Sequence, residues 1–108
     1  MTPVDLARTI GDILTNIDIV LQAPDLKDPD WQILYALRKH LDDQQRDLIQ
    51  QTFQTGNAQY QALTEQIKRA STDLEDLIER LDRISAIIKR IAEVAAIIDK
   101  LISMVPKM

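Results

Sequence analysis

The feature that most constrains this fold is an unbroken heptad pattern over residues 67–105. Two series of apolar positions run through the segment in steps of seven. The first is Ile67, Leu74, Leu81, Ile88, Ala95 and Ile102, and the second is Ala70, Leu77, Ile84, Ile91, Ile98 and Val105. Such a repeat is typical of a helix with a coiled-coil-type seam. The sequence therefore predicts one helix over about residues 57–104, and its 39-residue repeat would span roughly 58 Å.

The apolar arc of this predicted helix widens towards its C-terminal end, because further apolar residues flank the seam there. A widened arc fits contact with two or more other helices. We expect the arc to form an interface with another copy or with a partner protein. Its residues are Ile87, Val94, Ile97, Ile98, Leu101 and Ile102. The alternative is that helix 1 folds over this end and closes a monomeric three-helix bundle.

Two further helices precede this one. Thr2 and Pro3 suit an N-cap and the first helical position, and Asp5 suits the first turn, so we expect helix 1 over about residues 3–22. Residues 23–30 hold two Pro and three Asp, which indicates a turn. Helix 2 follows over about residues 30–54.

Helix 2 has a weaker apolar face than the C-terminal helix. Trp31 and Tyr35 are one turn apart, and we expect both to pack into the core. Residues 44–66 contain eight Gln, including Gln44 and Gln45, which interrupt the apolar face. We interpret these Gln as a solvated surface, with a polar layer that sets the register between helices as the alternative.

The helix count depends on two weak signals. The only candidate turn between residues 31 and 105 is Thr55-Gly56-Asn57; without a bend there, one helix would run from residue 30 to 104. A capping-box pattern from Thr72 to Glu75 would suit the start of a separate helix, but the heptad continues through it. We therefore predict an all-α, elongated bundle of three helices, or four, in one domain over residues 1–108.

The composition and motifs favour no enzymatic chemistry. The chain has no Cys and one His, and its two Gly cannot form a phosphate-binding loop. We interpret His40 as a surface residue rather than a metal ligand, and we expect no catalytic residue, metal or cofactor. The net charge is −4, with no basic stripe, so we also expect no nucleic-acid partner.

These observations favour a non-enzymatic interaction or assembly protein, which either self-associates or docks on a helical partner protein. The alternative is a membrane-active amphipathic protein, such as a pore-forming or lysis-system component, because residues 84–105 are strongly apolar with Lys89, Arg90 and Lys100 among them. Binding to a membrane surface is the less favoured of the two. No signal peptide or membrane-spanning stretch is evident, so we expect a cytoplasmic location, with leaderless export as the alternative.

Overall fold

The computed structural model of the protein describes residues 2–50, 56–80 and 83–103. The regular structure in these residues is helical throughout. The helices are α1 (Pro3–Leu21), α2 (Asp28–Gln50), α3 (Ala58–Arg80) and α4 (Ile84–Ser103). Several features predicted from the sequence lie outside the described residues, namely heptad positions Leu81 and Val105, Thr55, and the predicted helix ends at residues 54 and 104.

Helix α1 begins with the cap that the sequence predicts. Thr2 is the N-cap, and its hydroxyl accepts a hydrogen bond from the backbone N–H of Asp5 at 3.1 Å. The Asp5 carboxylate accepts in return from the backbone N–H of Thr2 at 3.2 Å. Hydrogen bonding from the side chain and the backbone of Thr2 to this carboxylate lowers the pKa of Asp5 below its ordinary value. Together with Pro3 at the first turn, these hydrogen bonds fix the start of α1.

The bend predicted around Gly56 and Asn57 is present, because α3 starts at Ala58. The Asn57 side chain caps the new helix. Its Oδ1 accepts from the backbone N–H groups of Gln59 at 2.8 Å and Tyr60 at 3.2 Å. Asn therefore marks the beginning of α3 by satisfying two of the N–H groups that have no partner within the helix.

The helices pack as two antiparallel hairpins side by side. Within the first hairpin Asp18 of α1 meets Arg38 of α2, and Ala7 meets Gln45. In the second, α3 packs against α4. Between the hairpins, α1 contacts α3 and α2 contacts α4. The described residues of α1 and α4 are diagonally opposite and make no contact, and the same holds for α2 and α3. Gln44 and Asp99 are each near the C-terminal end of their helix and touch, so α2 and α4 run parallel.

The second hairpin corrects the prediction of one helix over residues 57–104. The structure breaks that segment into α3 and α4, and the longest dimension of the molecule is 45 Å. A single rod would leave its wide C-terminal apolar arc in water. Folding back brings α4 against both α3 and α2 and buries Ile87, Ile91 and Ile98 completely. Burial of apolar surface therefore outweighs the continuity of the heptad pattern.

The apolar stripe also changes its phase between the two helices. Over most of α3 the heptad positions are buried, with Ile67, Ala70 and Leu74 in the core, but near its end Ile78 is buried and Leu77 only partly so. In α4 Ile91 and Ile98 of the second series are completely buried, whereas Ile88 and Ile102 of the first series are only partly buried. Three other residues are completely buried, and each directly precedes a position of the first series. They are Ile87, Val94 and Leu101.

Candidate functional site

The interface predicted from the sequence lies mostly inside the bundle. Ile87, Val94, Ile98 and Leu101 are completely buried, and Ile97 and Ile102 are partly buried against the core. The chain itself covers this arc. The covering helices are α2 and α3, and not helix 1 as the monomeric alternative expected, because α1 is diagonally opposite α4. An interface through the four buried residues would therefore require the bundle to open.

The exposed apolar residues concentrate instead in the first half of α2. Residues 31–37, here called the α2 apolar segment, contain no charged side chain. Within it only Leu34 is fully buried, whereas Trp31 is 40% exposed, Ile33 47% and Tyr35 51%. The expectation that Trp31 and Tyr35 pack into the core is therefore wrong. Six apolar residues in a run of seven extend beyond one helix face, so the bundle, which covers one side of α2, cannot bury all of their side chains.

Trp31 and Tyr35 are stacked on each other at the surface. Their ring centroids are 5.1 Å apart and their planes differ by 10°. The spacing of four residues places them on the same face of α2, which permits the stack. The two rings therefore pack on each other at the surface of α2 rather than against the core.

A salt bridge follows directly after this segment and ties α2 to α1. Arg38 Nε donates to Asp18 Oδ1 at 2.8 Å, and Arg38 Nη2 donates to Asp18 Oδ2 at 3.3 Å. The hydrogen bond to Asp18 raises the pKa of Arg38. Both side chains keep contact with solvent, being 33% and 44% exposed, so the pair orients α2 more than it stabilises the fold.

The second half of α2 is held by two amides. Gln44 Nε2 donates to the Ala95 carbonyl oxygen at 3.1 Å and to Asp99 Oδ1 at 2.6 Å. Gln45 Nε2 donates to the Ala7 carbonyl oxygen at 2.8 Å. Gln44 is buried, and its Oε1 has no hydrogen-bond partner among the described residues. Gln44 and Gln45 therefore make contacts between helices, as the polar-layer alternative expects, whereas Gln50, Gln59 and Gln66 are exposed, as expected for a solvated surface.

Two further polar features lie in the described part of the chain, His40 and a groove between α1 and α3. His40 is half-exposed, and its Nε2 lies 3.8 Å from Asp99 Oδ1. Across residues 2–50, 56–80 and 83–103, no cluster of three or more His, Cys, Asp or Glu is arranged to hold a metal ion. A groove of about 500 Å³ between α1 and α3 is lined by acidic and basic side chains together, including Asp5, Arg8 and Lys68.

No protein-family model, curated protein or solved structure matches this chain. None of the helices in the described ranges is both long enough and apolar enough to cross a membrane. The functional interpretation therefore depends on the surface of the molecule itself.

The α2 apolar segment has a signal in the sequence that helical periodicity alone does not use. Six of its seven consecutive residues are apolar, and none is charged. Helical spacing assigns one side of such a run to the core, but it also implies that the other sides stay apolar. Counting the apolar residues that one helix face cannot hold predicts that some of them lie at the surface, and the structure identifies these as Trp31, Ile33 and Tyr35.

Proposed function

We propose that this protein is a non-enzymatic helical interaction module, and that it binds another protein chain through the outward surface of the α2 apolar segment. The observation that carries this proposal is the exposed, stacked pair of Trp31 and Tyr35, with Ile33 also exposed on the same helix. Apolar side chains left in water at this density favour association, because covering them removes apolar area from solvent.

The chemistry of the segment suits an interface in particular. Trp and Tyr are over-represented among the residues that dominate binding energy, since each buries a large area with few rotatable bonds. The polar tips of both rings can remain at the rim of a contact. Because the pair is already stacked, a partner loses little by ordering it.

Photocrosslinking in the cells that make the protein tests this proposal. Benzoylphenylalanine would replace Ala36, which is exposed on α2, and in a matched control it would replace Glu75, which is exposed on α3. We expect an adduct of discrete mass from position 36 and none from position 75. Absence of an adduct at position 36, or the same adducts from both positions, would contradict the proposal.

The membrane-active alternative requires a larger rearrangement. Helix α4 would have to leave the core, since its central apolar residues Ile91, Val94 and Ile98 are completely buried. Flotation with anionic liposomes tests this alternative. Protein that floats with the lipid and loses its cooperative thermal unfolding would favour it over the interaction module.

A further inference from the structure

One exposed stripe of α2 has a charge pattern that is complementary to itself. Asp28, Gln32, Tyr35 and Lys39 follow one another at intervals of four, three and four residues, and all four are exposed. These intervals place them on one face of the helix. The stripe has an acid at its N-terminal end, a base at its C-terminal end, and uncharged residues between them.

We infer that this stripe is the interface of an antiparallel homodimer, an inference that depends on the proposed function and names a second copy as the partner. The midpoint between Asp28 and Lys39 lies between residues 33 and 34. The midpoint between Gln32 and Tyr35 is the same point. A two-fold axis through this point pairs Asp28 of each copy with Lys39 of the other. It also brings Gln32 of each copy against Tyr35 of the other, which is the self-complementary arrangement that a two-fold interface requires.

The charges select this direction of pairing. Neither Asp28 nor Lys39 has an ion-pair partner within the described part of its own chain, whereas the neighbouring Arg38 is already paired with Asp18. In a parallel arrangement Asp28 would meet Asp28 and Lys39 would meet Lys39. Like charges at these positions oppose association, and opposite charges support it. The antiparallel dimer therefore satisfies both ends of the stripe at once.

The surface that the two copies would share is small. The contact involves one half of one helix from each copy, so it is smaller than the interfaces of permanent dimers. Trp31 and Ala36 border the stripe and supply apolar area, and the two ion pairs lie at its rim. A weak, reversible dimer follows, one that forms as the protein concentration rises.

Sedimentation velocity over about 1 µM to about 1 mM protein, the range in which weak complexes dissociate, tests this inference. We expect the mass to rise from 12.3 kDa towards twice that value. Lys39→Glu brings a second carboxylate against Asp28 twice in each dimer and should weaken dimerisation about tenfold. Asp28→Lys should act similarly, because it brings a second ammonium group against Lys39.

The charge-reversed double variant gives the sharper result. Combining Asp28→Lys with Lys39→Glu restores opposite charges across the two-fold axis, so the dimer should regain its strength. An equimolar mixture of the two single variants should also associate, because each then meets its complement. Lys68→Glu on α3 is the matched control, since it makes the same charge change on a helix whose described residues do not contact α2.

The outcomes separate this inference from the proposed function. Circular dichroism melts first establish that each variant is folded, since Asp28 also lies favourably in the first turn of α2. A wild-type chain that stays monomeric to about 1 mM, or a dimer indifferent to both reversals, overturns the homodimer. The crosslinked adduct at position 36 then decides the function separately. An adduct of twice 12.3 kDa supports both, and an adduct of another mass keeps the function with a different partner.

Discussion

The α2 apolar segment and helix α4 are both rich in apolar side chains, yet the bundle buries many of those in α4 and leaves much of the α2 apolar segment in solvent. In α4 five aliphatic residues are completely buried. They are Ile87, Ile91, Val94, Ile98 and Leu101. In the α2 apolar segment only Leu34 is completely buried, and both aromatic residues are at the surface. Hydrophobic character alone therefore does not decide which residues form the core of this protein.

The position around the helix makes the difference. The buried residues of α4 follow one another at intervals of four and three, so they form one stripe that faces α2 and α3. Charged residues such as Lys89, Glu93 and Lys100 occupy its other side. In the α2 apolar segment six of seven consecutive residues are apolar, and they extend beyond the one face that meets the bundle. The bundle buries one side of this segment, and the remaining apolar side chains stay in solvent.

The largest expected effect comes from placing a charge in each region. Leu101→Glu buries a carboxylate without a partner, and we expect it to cost several kcal/mol and to unfold the protein. The sequence alone would assign Leu101 to an interface and predict loss of association with the helices intact. Ile33→Glu is the matched change at a half-exposed site, and it should leave the free energy of unfolding within about 1 kcal/mol of wild type.

Urea unfolding followed by circular dichroism, at low micromolar protein, compares the two variants. The comparison between the regions would be incorrect if Ile33→Glu destabilised the fold as much as Leu101→Glu. It would also be incorrect if Leu101→Glu remained folded.

A smaller effect is expected at Gln44, the residue through which α2 and α4 make their buried polar contact. Gln44→Ala removes the hydrogen bonds to Ala95 and Asp99 and leaves a cavity, at a cost of about 2 kcal/mol. Gln44→Met keeps the volume and removes the unpaired Oε1, so it should stay within about 1 kcal/mol of wild type.

The same urea experiment distinguishes the two contributions at Gln44. Equal losses in both variants would mean that the hydrogen bonds, rather than the packing, hold α2 against α4. A gain in Gln44→Met would mean that the polar contact is kept for register and not for stability.

The helical class, the start of α1 and the bend before α3 could be predicted from the sequence because each depends on local chemistry. Thr2, Pro3 and Asn57 act on the backbone within a few residues. The heptad pattern likewise identifies apolar positions, most of which the structure buries. These inferences need no knowledge of which helix lies next to which.

The break between α3 and α4 could not be predicted in the same way, because it depends on what covers the helix. The heptad is continuous, but its flanks change, and in α4 Ile87, Val94 and Leu101 are buried in place of Ile88 and Ile102. The widening arc is the visible sign of this change. From the sequence it indicates an interface with another molecule, whereas the chain itself supplies the covering helices. The wrong prediction that Trp31 and Tyr35 lie in the core has the same cause, because the sequence does not say which face of α2 the other helices cover.

A modest effect is expected from the salt bridge that borders the α2 apolar segment. Arg38→Met removes both hydrogen bonds to Asp18 but keeps an aliphatic stem, so the cost should be below about 1 kcal/mol, given the exposure of both partners. Arg46→Met, whose ion pair with Asp42 lies within α2, is the matched control. Urea unfolding gives the loss in the free energy of unfolding for each variant. A larger loss in Arg38→Met would mean that a salt bridge between α1 and α2 stabilises the fold more than one within α2.

The smallest effect on folding is expected from the aromatic pair itself. Trp31→Ala and Tyr35→Ala each remove a half-exposed ring, and each should lower the free energy of unfolding by no more than about 1 kcal/mol. The double variant measures the coupling between the rings, which for a stacked pair is about 0.5–1.5 kcal/mol and should be at the lower end here because water reaches both. The unfolding measurements are made at low micromolar concentration, where the proposed dimer is dissociated. Sedimentation of the same variants at high concentration should show a clear loss of association. A coupling well above this range would mean that the rings belong to the folded core, and the contrast between the two regions would then disappear.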